Sequence, residues 1–323
     1  MILAGDMGGT KTVLALCNER GEVVREKMFK CADFGSLEAI IDAFLLDQRV
    51  EAACFGVAGP VVDGVAHITN LPWTISEKHL EAKLGGPVRL LNDLQATAIG
   101  MTVLPPTAFA VLQQGAVPAS STIAVIAPGT GLGEATLVSD GNRYRALPSE
   151  GGHADFAPGT DEELALWQFM RDRHGPHVSV ERVLCGNGIG DLYEFARKRS
   201  GGEEPAWLVH EMKTGDHNAA VANAALANRD PVCVKALTMW VSILGAEAGN
   251  HALRALATGG VVIGGGIPPK ILPALQSGAL LERFVAKGRF TDWMKSLSLR
   301  VALEPRAALL GAAHTAVMTR EQR

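Results

Sequence analysis

The chain has 323 residues, of which 47% are hydrophobic and 20% charged, and a formal net charge of −4. That length exceeds the usual size of one hydrophobic core and predicts two domains, and the composition is that of a globular protein rather than a disordered or fibrous one. The small negative charge excludes a basic footprint for nucleic acid or polyphosphate, and five scattered cysteines without Cys/His zinc spacing are read as reduced thiols of a cytoplasmic protein.

From the N-terminus, an apolar run at 1–4 meets Asp6-Met7-Gly8-Gly9-Thr10-Lys11 and resumes at 12–17 before the turn Glu19-Arg20-Gly21. This reads as strand, Gly-rich turn, strand, with no charged-then-apolar leader before it. Residues 23–30 continue the sheet. Ser36 is placed to cap a helix whose Leu37, Ile40, Ile41, Phe44 and Leu45 share one face. A buried strand at 52–57 ends at Ala58-Gly59-Pro60, and Asn70-Leu71-Pro72-Trp73 makes a polar–aromatic loop. A short helix at 76–84 and a strand at 88–91 follow; the strand terminates in Asn92-Asp93 and leads into a helix at 94–101. The step Leu104-Pro105-Pro106 marks a boundary.

The second half begins in the same order. The run 123–127 meets Gly129-Thr130-Gly131-Leu132-Gly133, and a second strand at 135–138 ends at Asp140-Gly141. A helical insert occupies 147–230, in which Thr160 and Glu163 are spaced as a capping box for a helix at 161–171. The apolar region 236–266 is interrupted by Glu247, Asn250, His251 and Arg254, so it reads as a buried helix (232–257) and a strand, not a membrane span. Its Gly245, Ala246, Ala248 and Gly249 allow close packing. The strand at 261–263 runs into Gly264-Gly265-Gly266, and Pro268 opens the next helix. After a strand at 297–302, a helix at 306–317 is apolar enough to dock on the first domain.

The two Gly-rich hairpins carry the argument. Glycines let a backbone approach phosphate closely, and Thr hydroxyls and turn N–H groups supply donors. The first departs from the nucleotide P-loop at Thr10 and is followed by a strand; the second lacks dinucleotide spacing and opens no helix. Each hairpin alone is an ordinary turn. Repeated at the head of two similar halves, they describe an α/β actin-like ATPase (ribonuclease H-like) duplicated fold with a cleft between two domains. The expected division is a small domain of 1–104 plus 303–323 and a large domain of 105–302.

Ligands in open α/β sheets sit at strand ends. There the sequence puts Asn92-Asp93, which alone is a helix cap, and Glu150-Gly151-Gly152-His153, an acid and an imidazole around two glycines. Glu181 alone is a solvated charge. Together, carboxylates, an amide and an imidazole suit a polyol, whose hydroxyls both donate and accept. Phosphoryl transfer further needs a carboxylate to accept the attacking hydroxyl's proton and a metal to neutralise phosphate charge.

At these residues the chain resembles the bacterial glucokinases, from Gly5-Asp6-Met7-Gly8-Gly9-Thr10 to Gly311. The most specific segments are Leu91-Asn92-Asp93, Ala127-Pro128-Gly129-Thr130-Gly131-Leu132-Gly133, Glu150-Gly151-Gly152-His153-Ala154-Asp155-Phe156-Ala157-Pro158 and Glu181-Arg182-Val183-Leu184-Cys185-Gly186. The resemblance implies ATP-dependent phosphorylation of glucose at its 6-hydroxyl, with Asp93 as catalytic base and Asn92, Asp93, Glu150, His153 and Glu181 binding the sugar. It further implies that Asp6, Gly8, Gly9, Thr10 and Lys11, with Gly129, Thr130, Gly131 and Gly133, face the ATP phosphates. Asp6 is then near Mg²⁺, Gly264, Gly265 and Gly266 are on the adenosine side, and the enzyme is a homodimer with no nucleic-acid or membrane partner. The family often has Asn where this chain has Lys11, and the cysteine-rich zinc motif of the repressor–open-reading-frame–kinase group is absent. The alternatives are a kinase for another hexose or an amino sugar, and a non-catalytic sugar-sensing protein or regulator. A regulator needs a DNA-binding segment, for which no room is read before the first strand.

Overall fold

Apolar runs of five to eight residues between turn signals become strands, because only a pleated sheet buries both faces of so short a segment. The computed structural model describes residues 1–68, 71–118, 120–141 and 143–321; Asn70 of the polar–aromatic loop lies outside them. The chain divides into two units, Met1–Ala108 with Leu137–Pro148 and Glu304–Arg323, and Phe109–Thr136 with Ser149–Leu303. Residues 137–148 thus group with the first unit, whereas chain order alone assigns them to the second.

The first unit contains β1 (Ile2–Met7), β2 (Lys11–Cys17), β3 (Val23–Lys30), β4 (Ala52–Val57) and, after the short strands β5 (Val61–Val62), β6 (Val65–His67) and β7 (Thr74–Ser76), β8 (Val88–Asn92). Its main sheet has the order β3-β2-β1-β4-β8, and β5-β6-β7 form a separate small sheet that the sequence reading missed. β1 and β2 are antiparallel; β1, β4 and β8 run parallel.

Side chains alternate across β1. Ile2 and Ala4 pack with Cys54 and with Leu309, Ala312 and Ala316 of the helix Ala307–Glu321, while Leu3 and Met7 join Leu14, Ile40 and Phe55 on the other face. The helices Asp93–Val103 and Ala307–Glu321 pack backbone to backbone. A Cβ on Gly100 would strike the Ala307 carbonyl, and one on Gly311 the Ala96 carbonyl. The C-terminal helix therefore holds the helix that begins at Asp93.

The other large sheet, drawn mainly from the second unit, has the order β12-β11-β10-β13-β14-β9 and consists of β9 (Phe109–Gln113), β10 (Thr122–Pro128), β11 (Leu132–Ser139), β12 (Tyr144–Ser149), β13 (Val261–Ile263) and β14 (Leu299–Ala302); the end of β11 and most of β12 fall in the segment that groups with the first unit. Setting β9 aside, both sheets have the same order when their strands are counted along the chain. The duplication read from the two hairpins is present in the topology. β9, not anticipated, adds antiparallel to β14.

The helix Pro231–Ala255 forms the centre of the second unit. Asp230 caps it by accepting from Cys233 N at 2.8 Å, with Pro231 at the first position. It is the one described helix long and apolar enough to cross a membrane, but 67% of its most apolar window is buried within the protein, as a core helix requires. Trp240 is fully buried and donates to the Cys185 carbonyl at 3.3 Å. The Thr160 capping box forms only in part. Thr160 Oγ1 accepts from Glu163 N at 3.1 Å, but the Glu163 carboxylate reaches Gly159 N at 2.6 Å and Arg283 Nη2 at 2.9 Å. The partly buried Arg283 guanidinium draws the carboxylate past the cap residue, and the N–H that it still accepts is that of Gly159. The reciprocal box occurs instead at Asn92 and Gln95.

Candidate active site

In the first unit the β1–β2 hairpin turns over Gly8–Thr10. Gly8 N donates to Lys11 O at 3.0 Å, and Thr10 O accepts from Cys31 N at 2.9 Å. Thr10 and Lys11 are exposed, leaving hydroxyl and ammonium accessible. Asp6 sits at the end of β1, where burial first and the Asp93 carboxylate second push its carboxyl up to about 6, against the lowering effect of Lys11. Two acids and one lysine are thus gathered where β1 and β8 end side by side on β4. A cation beside Asp6 would relieve both costs. No group of three His, Cys, Asp or Glu side chains is arranged as a metal cage among the described residues. A metal here would keep most of its coordination sphere for phosphate and water, as Mg²⁺ does.

Asn92 is occupied with structure as well as available for a ligand. Its Oδ1 accepts from Leu94 N at 2.9 Å, its Nδ2 donates to Gly59 O at 3.1 Å, and its own N–H goes to Gln95 Oε1 at 3.1 Å. The cap fixes the first turn of the helix and so the direction of Asp93, which is exposed and accepts from Leu94 N at 2.8 Å.

In the second unit three distant sugar candidates converge. His153 Nε2 lies 3.8 Å from Glu150 Oε2, and its Nδ1 lies 3.7 Å from Glu181 Oε1. Backbone pairing brings them there: Phe156 N donates to Val178 O at 2.8 Å and Val180 N to Ala154 O at 2.9 Å. Ser179 caps the short helix Val180–Val183 that carries Glu181. Glu181 has a second task, since its Oε2 accepts from Leu132 N at 2.9 Å. A charge-assisted bond of this kind is worth about 1.5–3 kcal/mol. One carboxylate therefore ties the Gly-rich hairpin to the Glu150–His153 turn.

Two glycines of these segments are held by close contact. A Cβ at Gly131 would meet the Glu181 carboxylate, and one at Gly152 the Leu132 carbonyl. Gly265 has φ +85°, a left-handed conformation, and a Cβ there would strike the Pro128 carbonyl. These close approaches leave a cavity of about 400 Å³ lined by Gly129, Thr130 and Gly266 together with Asn187, Asn218 and Lys270. That volume is ligand-sized. Asn187, Asn218 and Lys270 were not read from the sequence; the signal available was Gly186-Asn187-Gly188, which opens a helix directly after the Glu181 segment. Gly186 N donates to Gly129 O at 2.9 Å, and Asn218 Nδ2 to Asn187 Oδ1 at 3.1 Å.

Comparison with known proteins agrees with this geometry. The glucokinase family model matches residues 3–319. A glucokinase of Nostoc punctiforme is 39% identical, covering 97% of this chain and 98% of its own. The crystal structure of a glucokinase from an Antarctic psychrotroph has a TM-score of 0.84 at 31% identity, covering 98% of each chain. A Balamuthia mandrillaris glucokinase, solved in complex with glucose, shares the fold with a TM-score of 0.81 at 22% identity, over 98% of this chain and 93% of that one. The chain belongs to the glucokinase family.

Proposed function

We infer that this chain transfers the γ-phosphoryl group of ATP to the 6-hydroxyl of D-glucose, using Asp93 as the base and the Glu150–His153 turn with Glu181 as the sugar site. The observation that carries the sugar assignment is the convergence of Glu150, His153 and Glu181 around one imidazole. A cluster of carboxylates and a ring nitrogen pairs with adjacent hydroxyls as both donor and acceptor, and leaves its own groups unpaired when a hydroxyl is missing. Asn92 retains one Nδ2 hydrogen for the sugar.

Asp93 stands at the first position of its helix, with its carboxylate exposed. As the sugar hydroxyl attacks phosphorus, this carboxylate accepts the hydroxyl proton. Thr10, Lys11 and the N–H groups of the two Gly-rich hairpins hold the phosphate oxygens, and the 400 Å³ cavity takes the nucleoside. Asp6 would hold Mg²⁺, which when bound neutralises phosphate charge. The two domains expected from the sequence, 1–104 with 303–323 and 105–302, would close over glucose, since closure keeps water from competing as acceptor.

The test is a coupled assay of ATP consumption on a panel of hexoses. Glucose is expected to be the best acceptor, and Asp93→Ala should lower kcat by about 10²–10⁴-fold, the usual contribution of a general base, while glucose still binds. Near wild-type turnover by the variant would remove Asp93 from the reaction. Preference for another hexose would replace glucose as the substrate.

A further inference from the structure

A buried polar cluster lies behind the sugar turn. Glu134 follows Gly133 on β11, and its side chain is 3% exposed. Its Oε2 is 3.6 Å from His251 Nδ1 and 3.8 Å from Arg254 Nη2, both on the helix Pro231–Ala255. Glu247, one turn before His251 and two before Arg254, bonds the same Arg254 Nη2 through Oε1 and accepts from Asn250 Nδ2 at 3.0 Å through Oε2. Behind Glu247, Lys287 Nζ reaches Asn250 Oδ1 at 2.6 Å, and Arg283 is paired with Glu163 at 2.9 Å. On the turn side, Glu150 and His153 are exposed.

Arg254 is shared by Glu134 and Glu247, while Lys287 and Arg283 are engaged by Asn250 and Glu163. Two buried carboxyls compete for one guanidinium nitrogen, and Oε1 of Glu134 has no N–H or O–H donor among the described residues. The neighbouring imidazole supplies no charge, because burial and then Arg254 push His251 down to about 4. Burial first and Glu247 second push the Glu134 carboxyl up to about 8. A proton on Glu134, donated in a hydrogen bond to Glu247, removes this competition for Arg254.

Glu134 touches the sugar turn directly. A Cβ at Gly151 would fall on Glu134 Oε2, and Leu132, two residues before Glu134, is the contact of Gly152. The acid therefore fills the space beneath the backbone that carries Glu150 and His153.

We propose that Glu134 and Glu247 share one proton as a positioning pair that seats the Glu150–His153 turn, and that loss of this proton weakens the hold on the sugar; the proposal rests on reading that turn as the sugar site. With the proton gone, two like charges meet in a poorly solvated space, and admitting water relieves them only by lifting the turn. Glucose then binds the protonated fraction, so its apparent affinity falls in proportion to that fraction.

The experiment measures glucose KM, ATP KM and kcat separately across pH for the wild type, Glu134→Gln, Glu134→Ala, Glu247→Gln and Glu150→Gln, with melting temperatures to verify folding. For the wild type, glucose KM should rise about tenfold between about pH 7 and about pH 9 while ATP KM stays constant, since each unit above the titration point depopulates the neutral form tenfold. Glu134→Gln, an uncharged isostere, should abolish the rise, whereas Glu134→Ala should raise glucose KM at every pH. Infrared spectroscopy should show a protonated carboxyl band at neutral pH that Glu134→Gln removes. Glu247→Gln should also flatten the profile and stands in if Glu134→Gln does not fold. A flat wild-type profile, or a rise that persists in both Gln variants, overturns the proposal. Glu150→Gln separates the two readings: a raised glucose KM upholds the sugar turn even where the carboxyl pair fails, and an unchanged KM overturns the sugar turn itself.

Discussion

The two Gly-rich hairpins occupy the same place in two sheets of the same strand order, yet they are built for different work. The β1–β2 hairpin is charged: Asp6 and Lys11 flank it, and Asp93 at the end of β8 bears on Asp6 electrostatically. Its Gly8–Thr10 turn is closed by one short backbone bond from Gly8 to Lys11. The β10–β11 hairpin is uncharged and cross-tied. Leu132 N is held by Glu181, Gly129 O by Gly186, and the Pro128 carbonyl lies against Gly265. Duplication conserves a topology because strand order is set by the sheet core. What each copy does is set by the few side chains at its rim. The charged hairpin suits the reacting groups, which need exposed acids and a cation. The tied hairpin suits binding, which needs backbone donors that do not move.

Perturbing the ties should separate these roles. The largest effect beyond that of Asp93 is expected from Glu181→Ala, which removes both a proposed sugar ligand and the acceptor for Leu132 N. Loss of about 1.5–3 kcal/mol corresponds to a glucose KM roughly ten- to hundredfold higher. ATP KM should rise as well, because the hairpin is released; titrating each substrate at saturating levels of the other distinguishes the two. If only glucose KM changes, the tie does not couple the hairpin to the sugar turn.

Gly152→Ala tests the same contact from the opposite side. The added methyl meets the Leu132 carbonyl, and overpacking of this kind costs about 1–3 kcal/mol, seen as a lowered melting temperature together with weaker glucose binding. An unchanged melting temperature would show that the turn has room to shift.

The smallest effect is expected at the charged hairpin. Lys11 is exposed, so Lys11→Ala should remove only a screened attraction of about 0.5–1 kcal/mol and raise ATP KM roughly two- to fivefold, less at high salt, with glucose KM unchanged. A much larger loss would mean that Lys11 is drawn out of water when nucleotide binds.

Much of the fold was legible because its signals are local. Alternating or continuous apolar runs gave the strands, Ser36 stands at the helix start that it caps, and the repeat of hairpin and strand revealed the duplication. The small sheet β5-β6-β7 was not legible, since strands of two or three residues carry no periodicity to read. Glu163 was misread as a capping-box acid because its partner, Arg283, lies 120 residues away.

The sequence by itself determined the family and the two halves and supplied the candidate site residues, because motif, propensity and turn chemistry are properties of neighbouring residues. Tertiary structure alone decided that Glu181 reaches both the Glu150–His153 turn and the β10–β11 hairpin, that Asn187 and Asn218 line one cavity with Gly129 and Thr130, and that Glu134 and Glu247 meet at Arg254. Those pairings join segments far apart in the chain, and only packing fixes which polar groups are brought together out of water and must share a proton or a hydrogen bond.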